Sequence, residues 1–516
     1  MIMLTLPEWG NLDILGACGA SDSGSNPGSG AFPIDWCFLL EDYGLRRNLI
    51  IIWKHHNLCN HVGLLALRFN HSLEYTIAYM ALQKEYDVVI VGAGVLGSAI
   101  AYELSLTFGG SIAVIEKENG AGLHTSTRNT GVIHRPFYME PEKKKLFAES
   151  SQISYRMWKA LAVEFDLPWK ENGTLEIATR ETDLKSIDSY AKWAITNGMQ
   201  EEEFKILGSS ELKEHEPLVK GYGAILSITD SCVDFGSFTS RVMELAKSNG
   251  VEFISGSRVI DAVETPEGIR IKAENESKKI VVKAGLMINS SGGDSLPLAH
   301  KMHLAKKYAV LHFRGDYWVV GDSYPGNMRN NIYTVPKHKK FPFLDPHFIL
   351  RVDGRRELGP NAALVATPYD YSDQPDSGSL MFKLLERPTL PKIKLLTNSE
   401  FLSLVRSEWK SSRSKDEMAR RVREFIPGLD TSYISGKGLS GVRNSLIDSG
   451  GFVPEAVMES SDHSIHILNY NSPGATGAPA FALHVIRLLN ESGKITLKET
   501  SSVQTSVWKR EVGNLL

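Results

Sequence analysis

Three glycines between residues 92 and 97 have the spacing that brings a protein backbone against a pyrophosphate. They are Gly92, Gly94 and Gly97, which fit the pattern G-x-G-x-x-G. The first permits a tight turn, the second lets the backbone approach phosphates closely, and the third lets a helix pack against a sheet. Glu116 lies about 20 residues further on and can accept hydrogen bonds from a ribose. These residues predict a dinucleotide site; the alternative is a glycine-rich turn in another kind of α/β protein.

The residues around the glycines predict the elements that such a site requires. Asp87–Val91 is a short apolar run rich in β-branched residues, which is typical of a strand buried on both faces. Ser98–Thr107 predicts a helix whose free N–H groups and dipole would face the phosphates. Ser111–Ile115 predicts a second strand that ends at the carboxylate of Glu116.

Composition places the chain among soluble globular proteins. It has 516 residues, of which 42% are hydrophobic and 23% are charged, enough for two or three domains. A net charge of −3 argues against a nucleic-acid partner. The four cysteines form no CxxC pair, which indicates a reducing compartment and predicts neither a disulfide framework nor a metal site. No apolar run approaches the roughly 20 residues of a membrane-spanning helix, and the predicted location is cytoplasmic.

Residues 1–79 differ in character from the rest of the chain. Ser21–Gly30 has the composition of a flexible linker, and no signal-peptide pattern occurs. Our hypothesis is that translation begins at Met80 and that the upstream segment is incorrectly assigned. The rival is a genuine, poorly ordered extension. An intact mass of the native protein distinguishes the two.

A second glycine turn and a run of short strands complete the organisation. Gly285–Ile288 predicts a buried strand that leads into the small residues Asn289–Gly293, so this turn would approach the cofactor from the other side. Between Tyr308 and Pro368, short apolar runs alternate with turns and predict a largely antiparallel sheet. The predicted fold class is α/β, with a Rossmann-like dinucleotide-binding domain interleaved with a mainly antiparallel β-sheet substrate domain.

Several motifs in the chain resemble one family of flavoenzymes. In order they are NTGVIH at Asn129–His134, FRGDYW at Phe313–Trp318, FPFLDPHF at Phe341–Phe348, DG at Asp353-Gly354 followed by GPNA at Gly359–Ala362, GVR at Gly441–Arg443 and NSPGAT at Asn471–Thr476. They resemble NSGVIH, FRGEYY, FPFLGVHF, DG…GPNA, GVR and NAPSPAAT of the L-2-hydroxyglutarate dehydrogenases and oxidases. That family belongs to the D-amino-acid oxidase-like FAD oxidoreductases, and the resemblance covers roughly Glu85–Asn490.

The resemblance implies FAD as the cofactor and a division of the chain into alternating segments. These segments are the extension at 1–79, FAD-binding parts at 80–165, 231–305 and 426–495, substrate-domain parts at 166–230 and 306–425, and a tail at 496–516. Besides the glycines and Glu116, the residues implied to contact FAD are Thr125, Ser126, Arg128, Asn129, Val259, Ser291, Gly292, Gly441, Pro473, Gly474, Ala475 and Thr476. A helix beginning near the last four would face the flavin; the alternative is a plain loop at the entry to a helix.

The resemblance also implies three catalytic residues. His134 would be a base or a flavin contact, and His347 a base or a substrate ligand, against structural histidines with satisfied hydrogen bonds. Arg443 would hold a carboxylate with both arms of its guanidinium; the alternative is a salt bridge with an acid such as Asp448. Arg128 would clamp a distal carboxylate or a flavin phosphate.

Weaker candidates have simpler interpretations. Arg314 is interpreted equally well as an inter-strand ion-pair partner, and Asn361 as a residue that shapes a turn. The run Lys143–Lys145 is interpreted as a solvated helix face.

The implied activity is FAD-dependent oxidation of L-2-hydroxyglutarate, or a related 2-hydroxy acid, to the 2-oxo acid by hydride transfer. The partner would be a 2-hydroxy dicarboxylate, and electrons would pass to a quinone, oxygen or a carrier, with a peripheral contact at the inner face of the membrane left open. One alternative is an amine-, amino-acid- or glycerol-3-phosphate-oxidising member of the superfamily. Another is a flavin-binding module without turnover.

Overall fold

The computed structural model describes residues 84–275, 279–338, 340–341, 345–372, 377–498 and 506–508, together with the backbone of four strands before residue 84. The chain divides into two compact units, Met1–Glu85 and Tyr86–Leu516. The first contains an antiparallel meander of β1 (Ile34–Tyr43), β2 (Arg46–His55), β3 (Val62–Phe69) and β4 (Tyr75–Ala78). The linker predicted at Ser21–Gly30 lies outside the described residues.

The rest of the described chain alternates strands and helices. The strands are β5 Lys84–Val91, β6 Ile112–Ile115, β7 Val132–Ile133, β8 Trp169–Lys170, β9 Thr174–Ala178, β10 Phe204–Gly208, β11 Gly223–Ser227, β12 Ser231–Val233, β13 Glu252–Ile254, β14 Arg258–Thr265, β15 Gly268–Glu274, β16 Lys279–Asn289, β17 Ala309–Gly315, β18 Trp318–Val320, β19 Asn331–Thr334, β20 His347–Leu350, β21 Arg356–Gly359, β22 Ala363–Val365, β23 Ile434–Lys437, β24 Gly441–Asp448, β25 Gly451–Phe452, β26 Val457–Ser460 and β27 Ser464–Leu468. The helices are α1 Val95–Thr107, α2 Lys145–Phe165, α3 Leu184–Thr196, α4 Ser209–His215, α5 Phe235–Ser248, α6 Ser295–Lys301, α7 Ser377–Leu385, α8 Leu390–Leu396, α9 Ser399–Arg413, α10 Lys415–Val422 and α11 Gly474–Glu491.

One sheet carries both predicted glycine turns, and we call it the cofactor sheet. Its order is β13-β6-β5-β16-β15-β14, with β27 added parallel to β16. β5 pairs parallel with β6, and its residues Val88–Ile90 are fully buried. Helix α1 packs against α5 and α11. The predicted hairpin at residues 268–283 is confirmed, but the strand predicted separately at Gly285–Ile288 is the continuation of β16.

The short strands predicted between Tyr308 and Pro368 do not form one sheet. β18 to β21 join an eight-stranded sheet of order β10-β11-β9-β19-β20-β21-β18-β23, the substrate sheet, in which β19 runs parallel to β9. β17 and β22 belong instead to a four-stranded sheet of order β22-β17-β24-β25. The prediction of one sheet was wrong because β17 pairs with β24, a strand far away in sequence.

Two further predictions of local structure need refinement. The glycines of residues 436–443 predict a turn, but Gly441–Arg443 is the start of strand β24. The sequence pattern of Lys383–Lys410 predicts helical structure, and this region is divided among the three helices α7, α8 and α9. Pro388 and Pro391 lie at that division, and proline lacks the N–H that a helix interior requires.

The lowered pKa values of two buried histidines predict how the free energy of unfolding depends on pH. Burial lowers the pKa of His312 and of His466 from 6.5 to about 4. Because the unfolded chain binds these protons first, stability is fully present above pH 6.5 and is lost as the pH falls toward 4. The expected loss is about 3 kcal/mol per histidine.

Urea unfolding between neutral and acidic pH checks this expectation. His312→Gln and His466→Gln should each flatten the acid dependence of the free energy of unfolding. His338→Gln is the control, since that side chain is 37% exposed. An unchanged slope in both buried variants would contradict the assignment.

Candidate active site

The two glycine turns of the cofactor sheet pack against each other. Gly92 has φ +97°, and a Cβ there would lie 2.8 Å from Cα of Ser291. A Cβ on Gly97 would lie 1.9 Å from the carbonyl oxygen of Gly92. Gly94 differs, because only Oγ of Ser126 comes within 4 Å of its Cβ position, at 3.2 Å. Two of the glycines are therefore required by packing, while Gly94 leaves an opening beside the start of α1 that fits a pyrophosphate.

Glu116 ties the first turn to the end of the second parallel strand. One carboxylate oxygen accepts the N–H of Ala93 at 2.7 Å and the other accepts that of Glu118 at 3.0 Å. The backbone of Ser257 donates to the carbonyl of Glu116, which brings the start of β14, and with it the half-buried Val259, to the same edge. Glu116 therefore lies at the end of the strand, where the ribose acceptor was predicted, and its contact with a ribose stays a prediction.

The loop at residues 124–131 crosses the beginning of α1. Oγ of Ser126 accepts the N–H of Val95 at 2.9 Å, so this hydroxyl lies at the predicted phosphate position. The Thr125 hydroxyl donates to the carbonyl of Val442. Asn129 donates to two carbonyls of its own loop and accepts the N–H of Gly131, which shapes the loop from within.

The neighbouring residues Arg128 and Gly441 fasten this loop to β24. The Arg128 guanidinium donates to the carbonyl of Ser440, and a Cβ on Gly441 would lie 1.8 Å from the Arg128 carbonyl oxygen. On the second turn, Ser291 donates its hydroxyl to the side chain of Asn289 at 2.6 Å, and Gly292 has φ +60°. Direct contact of these residues with a cofactor stays a prediction.

The apolar pattern of residues 480–489 predicts a helix, and helix α11 begins six residues before that pattern, directly after Pro473. Gly474, Ala475 and Thr476 form its first turn, so the predicted helix N-terminus is present at these residues. Oγ1 of Thr476 accepts the backbone N–H of His134 at 3.1 Å. The helix start and the loop that carries His134 are therefore one connected structure.

His134 is paired with a buried acid that the sequence analysis did not single out. Nδ1 of His134 lies 3.2 Å from Oδ2 of Asp230, whose side chain is fully buried. The other Asp230 oxygen accepts the N–H of Arg135 and the hydroxyl of Ser227. Nε2 of His134 lies 3.4 Å from the hydroxyl of Tyr333. A carboxylate that holds Nδ1–H leaves Nε2 able to accept a proton, which is the arrangement of a general base.

His347 stacks on the other side of the same tyrosine. The ring centroids of Tyr333 and His347 are 3.7 Å apart. Burial, followed by the charges of His134 and Arg443, lowers the pKa of His347 well below its ordinary value. Among the described residues, neither ring nitrogen of His347 has a hydrogen-bond partner. His347 is therefore a neutral imidazole whose nitrogens can meet a substrate.

Arg443 acts electrostatically on His347 and also on a second cation, Lys144. Burial lowers the pKa of Arg443, while the hydroxyls of Tyr317 and Tyr138 raise it. Burial, and then the charge of Arg443, lowers the pKa of Lys144. We use the name substrate chamber for His134, Tyr138, Lys144, Asp230, Tyr317, Tyr333, His347 and Arg443. The chamber combines a His–Asp pair, tyrosine hydroxyls and two positive charges.

The comparisons with known proteins agree with this geometry. A family model described as "FAD dependent oxidoreductase", abbreviated DAO, matches residues 87–488. The chain belongs to this family. It is 30% identical to L-2-hydroxyglutarate dehydrogenase, mitochondrial, of Caenorhabditis elegans, over 77% of this chain and 92% of that one. It is 26% identical to L-2-hydroxyglutarate dehydrogenase of Escherichia coli strain K12, over 78% and 92%.

Solved structures bear out the fold of this FAD-dependent oxidoreductase. L-alpha-glycerophosphate oxidase from Mycoplasma pneumoniae with FAD bound superposes with a TM-score of 0.63 at 21% identity, covering 81% of this chain and 97% of that one. Glycine oxidase from Geobacillus kaustophilus gives 0.58 at 17% identity, covering 83% and 98%. The predictions of family, fold class and FAD as the cofactor are confirmed.

Several residues in and beside the substrate chamber escaped the sequence analysis. Lys144 was interpreted as part of a solvated face, which holds for its exposed neighbours Lys143 and Lys145 but is wrong for Lys144 itself. Tyr138 lies four residues after His134, the last residue of NTGVIH, and this closeness to the motif in sequence could have identified it. Asp230 and Tyr333 lie outside every motif. Glu176 was also missed; burial, then the charges of Asp345 and Asp230, raises the pKa of this acid well above its ordinary value.

Arg314 and Asn361 both have structural partners, although the ion-pair partner of Arg314 follows the same strand and does not lie on another one. Arg314 forms a buried ion pair with Asp316 at 2.9 Å. Asn361 accepts the N–H of Asp316 at 2.8 Å and so shapes the turn around it.

Arg351 connects the substrate sheet to the cofactor loop. Its guanidinium donates to Oε2 of the buried Glu357 at 2.7 Å and to the carbonyl of Asn129, and lies 5.0 Å from the ring centroid of Tyr317. Arg351→Met should lower kcat/KM about tenfold by loosening the loop that holds His134, and should lower the Tm because the buried Glu357 loses its nearest counter-charge and, among the described residues, keeps only Arg355, 3.8 Å away.

A second substitution separates these two effects. Adding Glu357→Gln to Arg351→Met should restore part of the Tm but not kcat/KM. Arg420→Met, at an exposed ion pair, is the control. Recovery of both quantities together would mean that Arg351 acts only on stability.

Proposed function

We propose that this flavoenzyme oxidises L-2-hydroxyglutarate, or a closely related 2-hydroxy dicarboxylate, to the 2-oxo acid. The observation that carries the proposal is the His134–Asp230 pair, together with the charge of Arg443, which acts on His347 and on Lys144. Two cations suit a substrate with two carboxylates, and the carboxylates of Glu455 and Glu140 also act on the charge of Lys144. The similar proteins of Caenorhabditis elegans and Escherichia coli are both named L-2-hydroxyglutarate dehydrogenase, which supports the same substrate.

In this proposal His134 takes the hydroxyl proton at Nε2 while Asp230 holds Nδ1–H. When bound, FAD supplies the acceptor for the hydride from the carbinol carbon. The hydride carries two electrons, and loss of the hydroxyl proton completes the new C=O bond. The imidazolium that forms on His134 is stabilised by the carboxylate of Asp230, 3.2 Å away.

The remaining chamber residues orient the substrate. Arg443 holds the carboxylate next to the reacting carbon, and Lys144 holds the distal one. His347, neutral because of its lowered pKa, offers a ring N–H to a carboxylate oxygen. Arg128, for which a distal-carboxylate role was predicted, contacts Ser440 and the ring of Tyr371 instead.

Lys144→Met tests the assignment of the distal carboxylate. For L-2-hydroxyglutarate, kcat/KM should fall about 30-fold, since one charged hydrogen bond is lost. For L-2-hydroxybutyrate, which lacks the distal carboxylate, it should hardly change. Lys143→Met is the matched control, because that neighbouring side chain is 67% exposed. An equal loss on both substrates would contradict the assignment.

Anaerobic reduction of the bound flavin tests the reaction itself. Loss of the oxidised-flavin absorption band should be rapid with L-2-hydroxyglutarate and slow with its D-enantiomer, glycerol 3-phosphate, glycine and L-proline. If glycerol 3-phosphate or an amino acid reduces the flavin while L-2-hydroxyglutarate does not, the proposal is wrong. If no member of the panel does so, the interpretation as a binding module gains support.

For the electron acceptor we propose a membrane quinone, reached by peripheral attachment through helices α7 and α8. In the part of the chain that the structure describes, no helix is long and apolar enough to cross a membrane. These two helices nevertheless expose large apolar side chains: Phe382 is 77% exposed, Leu390 71%, Leu385 64% and Met381 62%. Exposed basic residues on the same segment, Arg387 and Lys394, suit anionic headgroups.

Co-sedimentation with phosphatidylcholine vesicles containing phosphatidylglycerol tests this attachment. Binding should fall about tenfold in a Phe382→Ser, Leu390→Ser double variant while flavin reduction stays unchanged. Val163→Ser is the control, since Val163 is 79% exposed on α2. Equal sedimentation of all variants would contradict the attachment and favour oxygen or a soluble carrier as the acceptor.

A further inference from the structure

A short segment at residues 366–372, between β22 and α7, joins the two loops that flank the first glycine turn. At one end the hydroxyl of Tyr369 donates to Oδ2 of Asp294, which follows the second glycine turn. At the other end the hydroxyl of Tyr371 lies 2.9 Å from Nδ1 of His124, the residue before Thr125. Because Ser291 contacts Gly92 and Ser126 lies beside Gly94, a segment tied to both sides crosses the edge of the FAD site.

Cations from the cofactor loops hold both tyrosine rings. Nζ of Lys117, the residue after the ribose acceptor Glu116, lies 3.1 Å from the centroid of the Tyr369 ring. The Arg128 guanidinium lies 4.2 Å from the centroid of the Tyr371 ring. Each such contact is worth about 0.5–2 kcal/mol in proteins. Both rings are thus held by a hydrogen bond at the hydroxyl and a cation at the face.

Two further contacts hold His124 and the 366–372 segment in place. Nε2 of His124 lies 2.7 Å from a carboxylate oxygen of Glu118, so the histidine is held from both sides. A Cβ on Gly293 would lie 2.2 Å from Cβ of Pro368, so the segment lies directly on the second glycine turn.

We propose that Tyr369 and Tyr371 form a latch at the adenosine end of the FAD site, and that this latch opens to admit and release the cofactor. The two tyrosines have no part in the substrate chamber. The side-chain contacts described above join them to residues of the loops beside the two glycine turns, and these contacts must break before the two loops can separate. The latch therefore sets the rate of FAD exchange and leaves the chemical step unaffected.

Stopped-flow binding and release of FAD, followed by flavin fluorescence, tests the latch with Tyr369→Phe and Tyr371→Phe. Both the association and the dissociation rate constants should rise about tenfold in each variant, as expected when one hydrogen bond to a charged or polar partner is lost from the closed state. The rate of flavin reduction in the loaded enzyme should stay within twofold of that of the native protein. Tyr222→Phe is the control, because this side chain is 52% exposed.

Other outcomes overturn the latch. A rise in dissociation alone would mean that the tyrosines contact FAD directly, and rates within twofold of native would mean that they only stabilise the fold. Hydrogen exchange provides a second measurement that does not require FAD to dissociate. In Tyr371→Phe, amide exchange should rise at residues 124–131 as well as at 366–372; a rise confined to 366–372 would also contradict the proposal.

Discussion

His134→Asn is expected to lower the rate constant of flavin reduction about a thousandfold, with FAD still bound. A general base contributes about 10²–10⁴ in rate. The asparagine amide cannot take a proton at the position of Nε2, while the backbone N–H of residue 134 still donates to Thr476. Anaerobic stopped-flow reduction by saturating L-2-hydroxyglutarate measures the effect directly.

Asp230→Asn provides the partner measurement. It should slow reduction about a hundredfold, because the amide no longer stabilises the imidazolium and can favour the wrong tautomer of His134. The double variant should be little slower than His134→Asn alone, since the two residues act as one unit. His338→Asn serves as the control. If His134→Asn reduced the flavin at the native rate while His347→Asn reduced it much more slowly, His347 and not His134 would be the general base.

Gly97→Ala is expected to yield protein without FAD. The added Cβ would lie 1.9 Å from the carbonyl oxygen of Gly92, so either α1 or the first glycine turn must move. That movement disrupts the packing of the first turn against Ser291 as well as the phosphate position. Flavin absorbance per protein, together with the Tm with and without added FAD, measures the outcome.

Gly94→Ala separates packing from ligand contact. Its Cβ meets only the Ser126 hydroxyl, at 3.2 Å, so the apoprotein should keep nearly its native Tm while FAD affinity falls about a hundredfold. Gly428→Ala is the control, because nothing lies within 4 Å of its Cβ position. Full flavin content in Gly97→Ala would show that the turn can relax, contrary to the packing argument.

The strand, turn and acidic residue of the glycine motif could be predicted from the local sequence. The strand before Gly92, the turn and the acid at Glu116 follow from hydrophobic period and glycine spacing, which act over a few residues. The predicted start of α1 was three residues too late. The N–H group of Val95, in the first turn, is capped by Ser126 from a loop 31 residues further along the chain, and such a long-range cap leaves no pattern in the local sequence.

Long-range pairing accounts for what was missed. Lys144 has the same composition around it as its exposed neighbours, and only the charge of Arg443, which acts on Lys144 in the folded chain, connects it with the site. Arg443 was assigned to a turn because its pairing opposite Phe313, in the register of β17 with β24, is invisible in the local sequence. Asp230 belongs to no motif, yet it holds His134.

By itself, then, the sequence determined the cofactor and the family, because the glycine turn and the motif residues are contiguous and carry their chemistry locally. It also indicated His134, His347 and Arg443. Only the tertiary structure decided which groups share a chamber with them, since Lys144, Asp230 and Tyr333 meet there through strand pairing and helix packing across long stretches of chain. A charge or a hydroxyl acquires its role from such neighbours, and those neighbours are set by the fold.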